Sequence, residues 1–269
     1  MDLDLHLHSA ASDGTLPSAE VVSAAIAARL DVIALTDHDT LAGVFAAVEA
    51  ARGQALAVIP ALEISTTWDD ADLHILGYFV DPMDPRIQEH CERAVGRREA
   101  RLREMVSRLR DQGVDVAFER VAEAAGEGAP GRPHLARAMV EAGVVTSVPE
   151  AFDRYIGNNH PAYIPTLLLD PGEAIRLIHG AGGIAVWAHP PAHRLETLLP
   201  ELRQWGLDGL EVYRPFLGRD RMLRIEAAAR SAGLLVTGGS DWHGPEGGPL
   251  GEFRVHASEV SRFLEAGGM

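Results

Sequence analysis

Two kinds of apolar pattern alternate along the chain. Short apolar or β-branched runs at roughly 2–8, 32–36, 56–60, 73–79, 184–188, 208–213 and 234–238 predict strands. Between most of them, helical spacing predicts amphipathic helices over Ser18–Arg29, Leu41–Arg52, Pro171–Gly182, Leu195–Gly206 and Arg219–Gly233. Pro17 and Pro171 suit a first helical turn, while Gly182, Gly206 and Gly233 suit helix ends. Strands alternating with helices imply βαβ units and a parallel sheet. About seven such strands fit a closed or nearly closed barrel, with an open doubly wound sheet as the alternative.

Residues 82–161 break this rhythm. Gln88–Gln112 reads as one long helix rich in arginine and glutamate, followed by helical pieces near Phe118–Ala125, Pro133–Ala142 and Pro149–Ile156. No strand pattern falls among them. The expected organisation is therefore an α/β unit made of residues 1–81 and 162–269, interrupted by an α-helical insertion at 82–161.

Composition narrows the function classes. An apolar share of 46% over 269 residues suffices for a sizeable core. The start, Met1-Asp2-Leu3-Asp4-Leu5-His6, lacks the basic and apolar regions of a secretory signal. No uncharged apolar run approaches about 18 residues, which argues against a membrane helix. Cys91 is the single cysteine, so no intrachain disulfide can form, which fits a cytoplasmic location. The net charge of −15 would repel a polyanion and speaks against an extended nucleic-acid surface. Charge is uneven, however: residues 82–160 carry 12 arginines against 13 acids, and the rest 12 against 26. There is no lysine, so every fixed side-chain cation is a guanidinium, suited to bidentate phosphate contacts.

The clearest chemical signal opens the chain. In Asp2-Leu3-Asp4-Leu5-His6-Leu7-His8, strand alternation puts Leu3, Leu5 and Leu7 on one face and His6 with His8 on the other. Two neighbouring imidazoles are costly to bury as cations but serve well as neutral metal ligands. Similar residues recur where other strands end: Asp37-His38-Asp39, Glu63, His74, His189 and Asp241-Trp242-His243. In parallel α/β folds these ends converge on the active site. Such oxygen and imidazole ligands suit manganese, iron or zinc, and one cysteine rules out a thiolate cluster.

With these pieces in order, the chain resembles the PHP (polymerase and histidinol phosphatase) superfamily of metallophosphoesterases. The matching segments are His6-Leu7-His8 with Asp13-Gly14, Leu35-Thr36-Asp37-His38-Asp39-Thr40, Pro60-Ala61-Leu62-Glu63-Ile64-Ser65, His74-Ile75-Leu76-Gly77, Ala188-His189-Pro190 and Gly239-Ser240-Asp241-Trp242-His243-Gly244. Within the superfamily it is most similar to a group of 3′,5′-nucleoside bisphosphate phosphatases and a 5′-to-3′ exonuclease of short RNA. The resemblance implies a distorted seven-stranded (β/α) barrel carrying an α-helical insertion that caps the substrate. It implies two to three divalent ions, manganese foremost with iron or zinc as alternatives. His6, His8, Glu63 and Asp241 would hold one ion; Asp13, His38 and His243 a second; His74 and His189 a third, with Glu63 bridging the first and third. Glu63, Asp241, His243 and His189 would be the catalytic members of that set. Arg98, Arg101, Arg132 and His134 of the insertion would contact a substrate phosphate.

The implied chemistry is consistent with charge. Asp13, Glu63 and Asp241 contribute −3 against +4 to +6 from two or three divalent ions, which leaves a locally cationic site. A metal-bridging water of lowered pKa would attack phosphorus in line. His193 and His243 are both candidate acids for the leaving oxygen. The expected substrate is a small phosphorylated nucleotide or short oligonucleotide: a nucleoside bisphosphate first, 5′-phosphorylated RNA second. Two further readings are a non-catalytic nucleotide-binding regulatory barrel and a hydrolase of C–N bonds. No ligand position is lost, which opposes the former; the Asp13, His38 and His243 set with the arginine-bearing insertion opposes the latter. Two departures fall where substrate could bind: Asn158-Asn159-His160 stands where relatives tend to be basic, and Tyr213 is followed by Arg214-Pro215 where His-Pro is more usual.

Overall fold

A computed structural model describes the whole chain apart from Asp70, Glu127, Leu167 and Leu168, and for Ala71 it describes the backbone alone. The strands are β1 (Asp2–Leu7), β2 (Val32–Leu35), β3 (Ala57–Trp68), β4 (Ala71–Tyr78), β5 (Ile184–Trp187), β6 (Gly209–Tyr213), β7 (Leu235–Gly238) and β8 (Val255–His256). They form one sheet in the order β7-β6-β5-β4-β3-β2-β1-β8. The segment after β7 returns to β1, where Asp241 N–H donates to His6 O and His8 N–H to Trp242 O, each at 2.9 Å. The expected barrel of seven strands is thereby nearly closed, and the two-residue β8 adds an antiparallel edge on β1.

Around the sheet lie α1 (Ser18–Ala27), α2 (Ala42–Ala51), α7 (Pro171–Gly180), α8 (Leu195–Gln204), α9 (Arg219–Ser231) and α10 (Ser261–Ala266). Asp170 and Glu173 cap α7 reciprocally: Glu173 N–H donates to Asp170 Oδ1 at 2.7 Å and Asp170 N–H to Glu173 Oε2 at 3.0 Å. Neither β8 nor α10 has a counterpart among the sequence expectations. Two residues make no periodicity, and a six-residue helix barely makes one.

Two expectations need correction. The sheet is not wholly parallel, because β4 runs antiparallel to both β3 and β5. Their pairing extends to Trp68↔Ala71, so β3 meets β4 through a tight turn with Asp69 at φ +50°. A parallel pair would need a crossover of about a dozen residues, and none is available there. Second, the leucines of β1 do not stay together. Leu3 and Leu5 pack with Ile59, Leu76, Val186 and Phe263, whereas Leu7 packs with Val21, Val22, Ile33 and Leu35. The β1–β2 register shifts between Asp4 and Leu7, and such a shift changes the partners a side chain meets.

Residues 82–161 hold α3 (Pro85–Asp111), α4 (Phe118–Ala125), α5 (Arg132–Glu141) and α6 (Val148–Ala151), the last running into a π-helical turn, Phe152–Ile156. Asp84 caps α3 by accepting from Arg86 N–H at 2.9 Å. Leu102, Met105 and Leu109 of α3 pack with Val121, Leu135, Met139 and Ile156 in an apolar cluster distinct from those of the barrel. The N-terminal half of α3 faces the barrel instead, burying Ile87, His90 and Arg98.

Candidate metal centre

The barrel brings nine histidines and carboxylates to one end. His6 lies in β1 and His8 just after it, Asp13 in the following loop, His38 after β2, Glu63 within β3, His74 within β4, His189 after β5, and Asp241 with His243 after β7. Two glycines permit the close packing this requires. A Cβ on Gly239 would lie 2.4 Å from the His6 backbone nitrogen, and one on Gly14 2.5 Å from His8 O. Three non-glycine residues at these strand ends hold left-handed backbone: Asp39 (φ +52°), His189 (+35°) and Asp241 (+57°). Such conformations persist where neighbours over-determine them. His189 N–H is fixed by Glu211 Oε2 at 2.6 Å and Asp241 N–H by the His6 carbonyl.

Glu63 is at the centre, 1% exposed. Its Oε2 lies 3.1 Å from His6 Nε2, 3.3 Å from His8 Nε2 and 3.4 Å from His38 Nδ1. Its Oε1 lies 2.8 Å from His74 Nδ1 and 2.9 Å from His189 Nε2. Asp241 Oδ1 completes the first group, 3.4 Å from His6 Nε2 and 3.2 Å from His8 Nε2. Asp13 faces His243 Nε2 at 3.3 Å and His38 Nε2 at 3.8 Å. The ligand atoms of His6, His8, Glu63 and Asp241 lie within 4.8 Å of one another, as do those of His8, Asp13, His38 and His243, and those of His38, Glu63 and His74.

The donor set suits divalent cations. His6 Nδ1 donates to Glu211 Oε1 at 2.8 Å, which leaves the Nε2 lone pair facing Glu63 and Asp241. Both ring nitrogens of His8 and Nδ1 of His38 are buried without a hydrogen-bond partner. Unsatisfied polar atoms at such depth are costly unless a cation or water accepts their lone pairs. His8 also stacks on His243 with ring centroids 4.1 Å apart and lies 4.8 Å from His38. Burial opposes charge on His8, yet Asp241, Glu63 and Asp13 outweigh it and lift its pKa to about 10. Burial lowers His38 to about 3. Burial alone would raise Glu63, but His38, His6 and His74 hold its carboxyl well below the usual range. Strong coupling between buried acids and imidazoles is the situation in which metal ions replace protons.

A cleft of about 160 Å³ opens beside this cluster, lined by Asp13, His38, His74 and His243 together with Arg98, Arg101 and Arg132. The four expected phosphate contacts differ in setting. Arg98 is 5% exposed and committed to protein groups, donating to Asp39 Oδ2 at 2.5 and 2.8 Å and to Ser65 Oγ at 2.6 Å. Arg101 donates from Nε to Ile164 O at 2.6 Å, while its buried Nη2 has no hydrogen-bond partner. Arg132 donates to Asp72 Oδ2 at 3.1 Å and to Asn158 Oδ1 at 2.7 Å. His134 is 1% exposed, does not line the cleft, and accepts Gly131 N–H on Nδ1 at 2.9 Å, with burial lowering its pKa to about 4. It is a neutral cap at the start of α5. His193 is exposed and also outside the cleft lining, whereas the His243 side chain is 33% exposed within it.

Three histidines outside the ligand set pair with other side chains. His90 packs 3.3 Å from Asp39 Oδ1, His179 2.8 Å from Asp208 Oδ2, and His256 2.9 Å from Ser258 Oγ. The supporting roles of four buried carboxylates behind the ligands were not part of the sequence expectations. Glu211 orients His6 and His189; Asp37 accepts from Ser9 N–H, Ser9 Oγ and Ser12 Oγ, each at 2.7 Å, pinning the loop that carries Asp13. Asp39 takes Arg98, His90 and the Ser65 N–H. Asp4 accepts from Ser240 N–H at 2.8 Å, and burial lifts its pKa to about 7. The lone charge in Gly209-Leu210-Glu211-Val212-Tyr213, and Asp4 two residues before His6, were the available signals.

Comparisons with known proteins identify the family. The PHP domain model matches residues 4–143. A 5′-3′ exoribonuclease of Haemophilus influenzae is 35% identical over 249 residues, covering 91% of this chain and 90% of the relative. A 3′,5′-nucleoside bisphosphate phosphatase of Chromobacterium violaceum is 32% identical over 254 residues, covering 92% and 89%. The crystal structure of a Bifidobacterium adolescentis protein described as a metal-dependent phosphoesterase superposes with a TM-score of 0.87 at 33% identity, covering 98% of this chain and 96% of that one. The chain belongs to the PHP family and is a metal-dependent phosphoesterase.

Proposed function

We propose that the chain hydrolyses a phosphomonoester of a nucleotide, such as the 3′-phosphate of a 3′,5′-nucleoside bisphosphate, with two or three divalent ions, manganese foremost. His6, His8, Glu63 and Asp241 would hold one ion; Asp13, His38 and His243 a second; His74 and His189 a third, with Glu63 bridging the first and third. When bound, the ions supply the charge that lowers the pKa of an attacking water and offsets charge on the phosphoryl oxygens. The chain's own part is placement. Glu211 and Asp37 hold the ligand-bearing segments, and Glu63, Asp241, His189 and His243 face the reacting phosphate. The side chains of His74, His189 and His243 keep 20%, 29% and 33% exposure, so substrate meets the cluster from their side.

One observation carries the substrate reading: beside the committed Arg98, a single cleft holds metal-ligand histidines and two further insertion arginines, Arg101 and Arg132, and Arg101 keeps a buried Nη2 without a hydrogen-bond partner. A phosphate at the ions and a second at the guanidiniums describes a doubly phosphorylated nucleotide. On this reading residues 82–161 serve as a substrate cap, and Arg98 ties that cap to the barrel. A second reading, 5′-to-3′ removal of nucleotides from short 5′-phosphorylated RNA, is favoured by the likeness to the Haemophilus influenzae relative and uses the same two seats. No helix among the described residues is long and apolar enough to cross a membrane; with one cysteine, a reducing cytoplasm is the proposed setting. Phosphate release from mononucleotides, 3′,5′-bisphosphates, cyclic phosphates and short 5′-phosphorylated RNA tests the assignment. Preference for bisphosphates supports it; preference for substrates with a single phosphate would remove the second seat.

A further inference from the structure

Asp72 stands on β4 two residues before His74, with its side chain 10% exposed. Its carboxylate reaches out of the barrel to three groups. Oδ1 accepts from Tyr163 OH at 2.9 Å, Oδ2 accepts from Arg132 Nη2 at 3.1 Å, and Oδ2 lies 3.8 Å from Arg101 Nη2. Asp72, Arg101 and Arg132 all line the cleft. The Tyr163 ring centroid lies 5.8 Å from the Arg101 guanidinium and 5.2 Å from that of Arg132, which holds both near the carboxylate.

The charges do not balance. One carboxylate faces two guanidiniums, and the buried Nη2 of Arg101 lacks a hydrogen-bond partner. Burial lowers Arg101 to about 10, so it keeps its charge at neutral pH while poorly solvated. The excess of positive charge attracts an anion. Asp72 nevertheless already takes the Arg132 N–H that a phosphate oxygen would take, and its charge repels an arriving phosphate a few ångströms away.

We propose that Asp72 is a specificity-determining residue: its carboxylate occupies part of the anion seat formed by Arg101 and Arg132, and so limits how tightly a non-scissile phosphate is held. This rests on the reading in which those arginines hold the second phosphate of a nucleotide. The competing carboxylate weakens retention of the nucleoside 5′-monophosphate product, which would otherwise stay in the same seat after the 3′-phosphate leaves.

The test measures inhibition of p-nitrophenyl phosphate hydrolysis by adenosine 5′-monophosphate, using metal-loaded wild type, Asp72→Asn, Arg132→Ala and the double variant. Asp72→Asn should lower the inhibition constant about tenfold, since a like charge beside the ligand is removed. The same change in the Arg132→Ala background should have a smaller effect, because the seat is already broken. An unchanged or raised inhibition constant in Asp72→Asn would overturn the proposal and make Asp72 only an orienting partner of the arginines. Wild type and Asp72→Asn that both cleave the chromogenic ester yet are not inhibited by the monophosphate would overturn the two-phosphate reading itself, and the seat with it. Thermal unfolding monitors the fold, and Asp72→Ser carries the same expectation should the asparagine variant be unstable.

Discussion

Glu63 presents one carboxylate oxygen to His6, His8 and His38 and the other to His74 and His189, so removing its charge touches two groups of ligands at once. Glu63→Gln should therefore lose more bound metal per chain than His38→Ala, which removes one imidazole from one edge of the cluster. Metal content after desalting measures this, and equal losses in the two variants would argue against a bridging role. Most ligand candidates could be read from sequence because they stand at or near a strand end, where such a fold gathers its functional groups, while Glu63 and His74 lie inside β3 and β4. Their supports were harder to see. Asp37 and Asp39 flank His38 in one short run, and nothing in their spacing says that Asp37 secures the Asp13 loop while Asp39 meets α3, 59 residues away along the chain. Such long-range pairing is fixed by packing, and a local pattern carries no trace of it.

Among the elements, α3 decides how the insertion meets the barrel. Arg98 from its middle is buried against Asp39 and Ser65, and the Asp39 side chain is itself 0% exposed. Breaking a buried pair by deleting one partner leaves a stranded charge, at a cost of about 3–5 kcal/mol. Arg98→Ala should lower unfolding stability by that order in urea titration; a loss under about 1 kcal/mol, typical of surface ion pairs, would show that Arg98 does not anchor the helix. Arg132, at the start of α5, tests the opposite role. A charge-assisted contact is worth about 1.5–3 kcal/mol, so Arg132→Ala should reduce kcat/KM for a 3′,5′-bisphosphate roughly ten- to a hundredfold more than for a chromogenic monoester. Equal losses on both substrates would place Arg132 at the scissile phosphate instead. The helices of residues 82–161 were legible from their spacing, since α3 carries a buried stripe opposite an arginine- and glutamate-rich face. The antiparallel run of β4 was not, because β3 continues without interruption through Ala61–Trp68 and Asp69, which follows it, is a weak turn signal.

At the scale of the molecule, a chain of net charge −15 sets three arginines, Arg98, Arg101 and Arg132, along one small cleft. Short substrates need only that cleft, whereas a long RNA must lie along an acidic exterior. Lengthening a 5′-phosphorylated RNA from about 3 to about 20 nucleotides should lower kcat/KM at low ionic strength, and added salt should narrow the gap by screening the repulsion. Rates that rise with length and fall with salt would reveal an extended basic track instead. The central claim is that the histidine and carboxylate cluster holds divalent ions that hydrolyse a nucleotide phosphoester. Its most direct measurement joins metal content per chain to release of the 3′-phosphate from a 3′,5′-bisphosphate in one preparation, before and after chelation and after manganese is restored. The account predicts two to three equivalents of metal, turnover abolished by the chelator, and turnover regained with manganese. Full turnover by the metal-free chain, or a fully loaded chain inert toward every phosphoester tried, would contradict it.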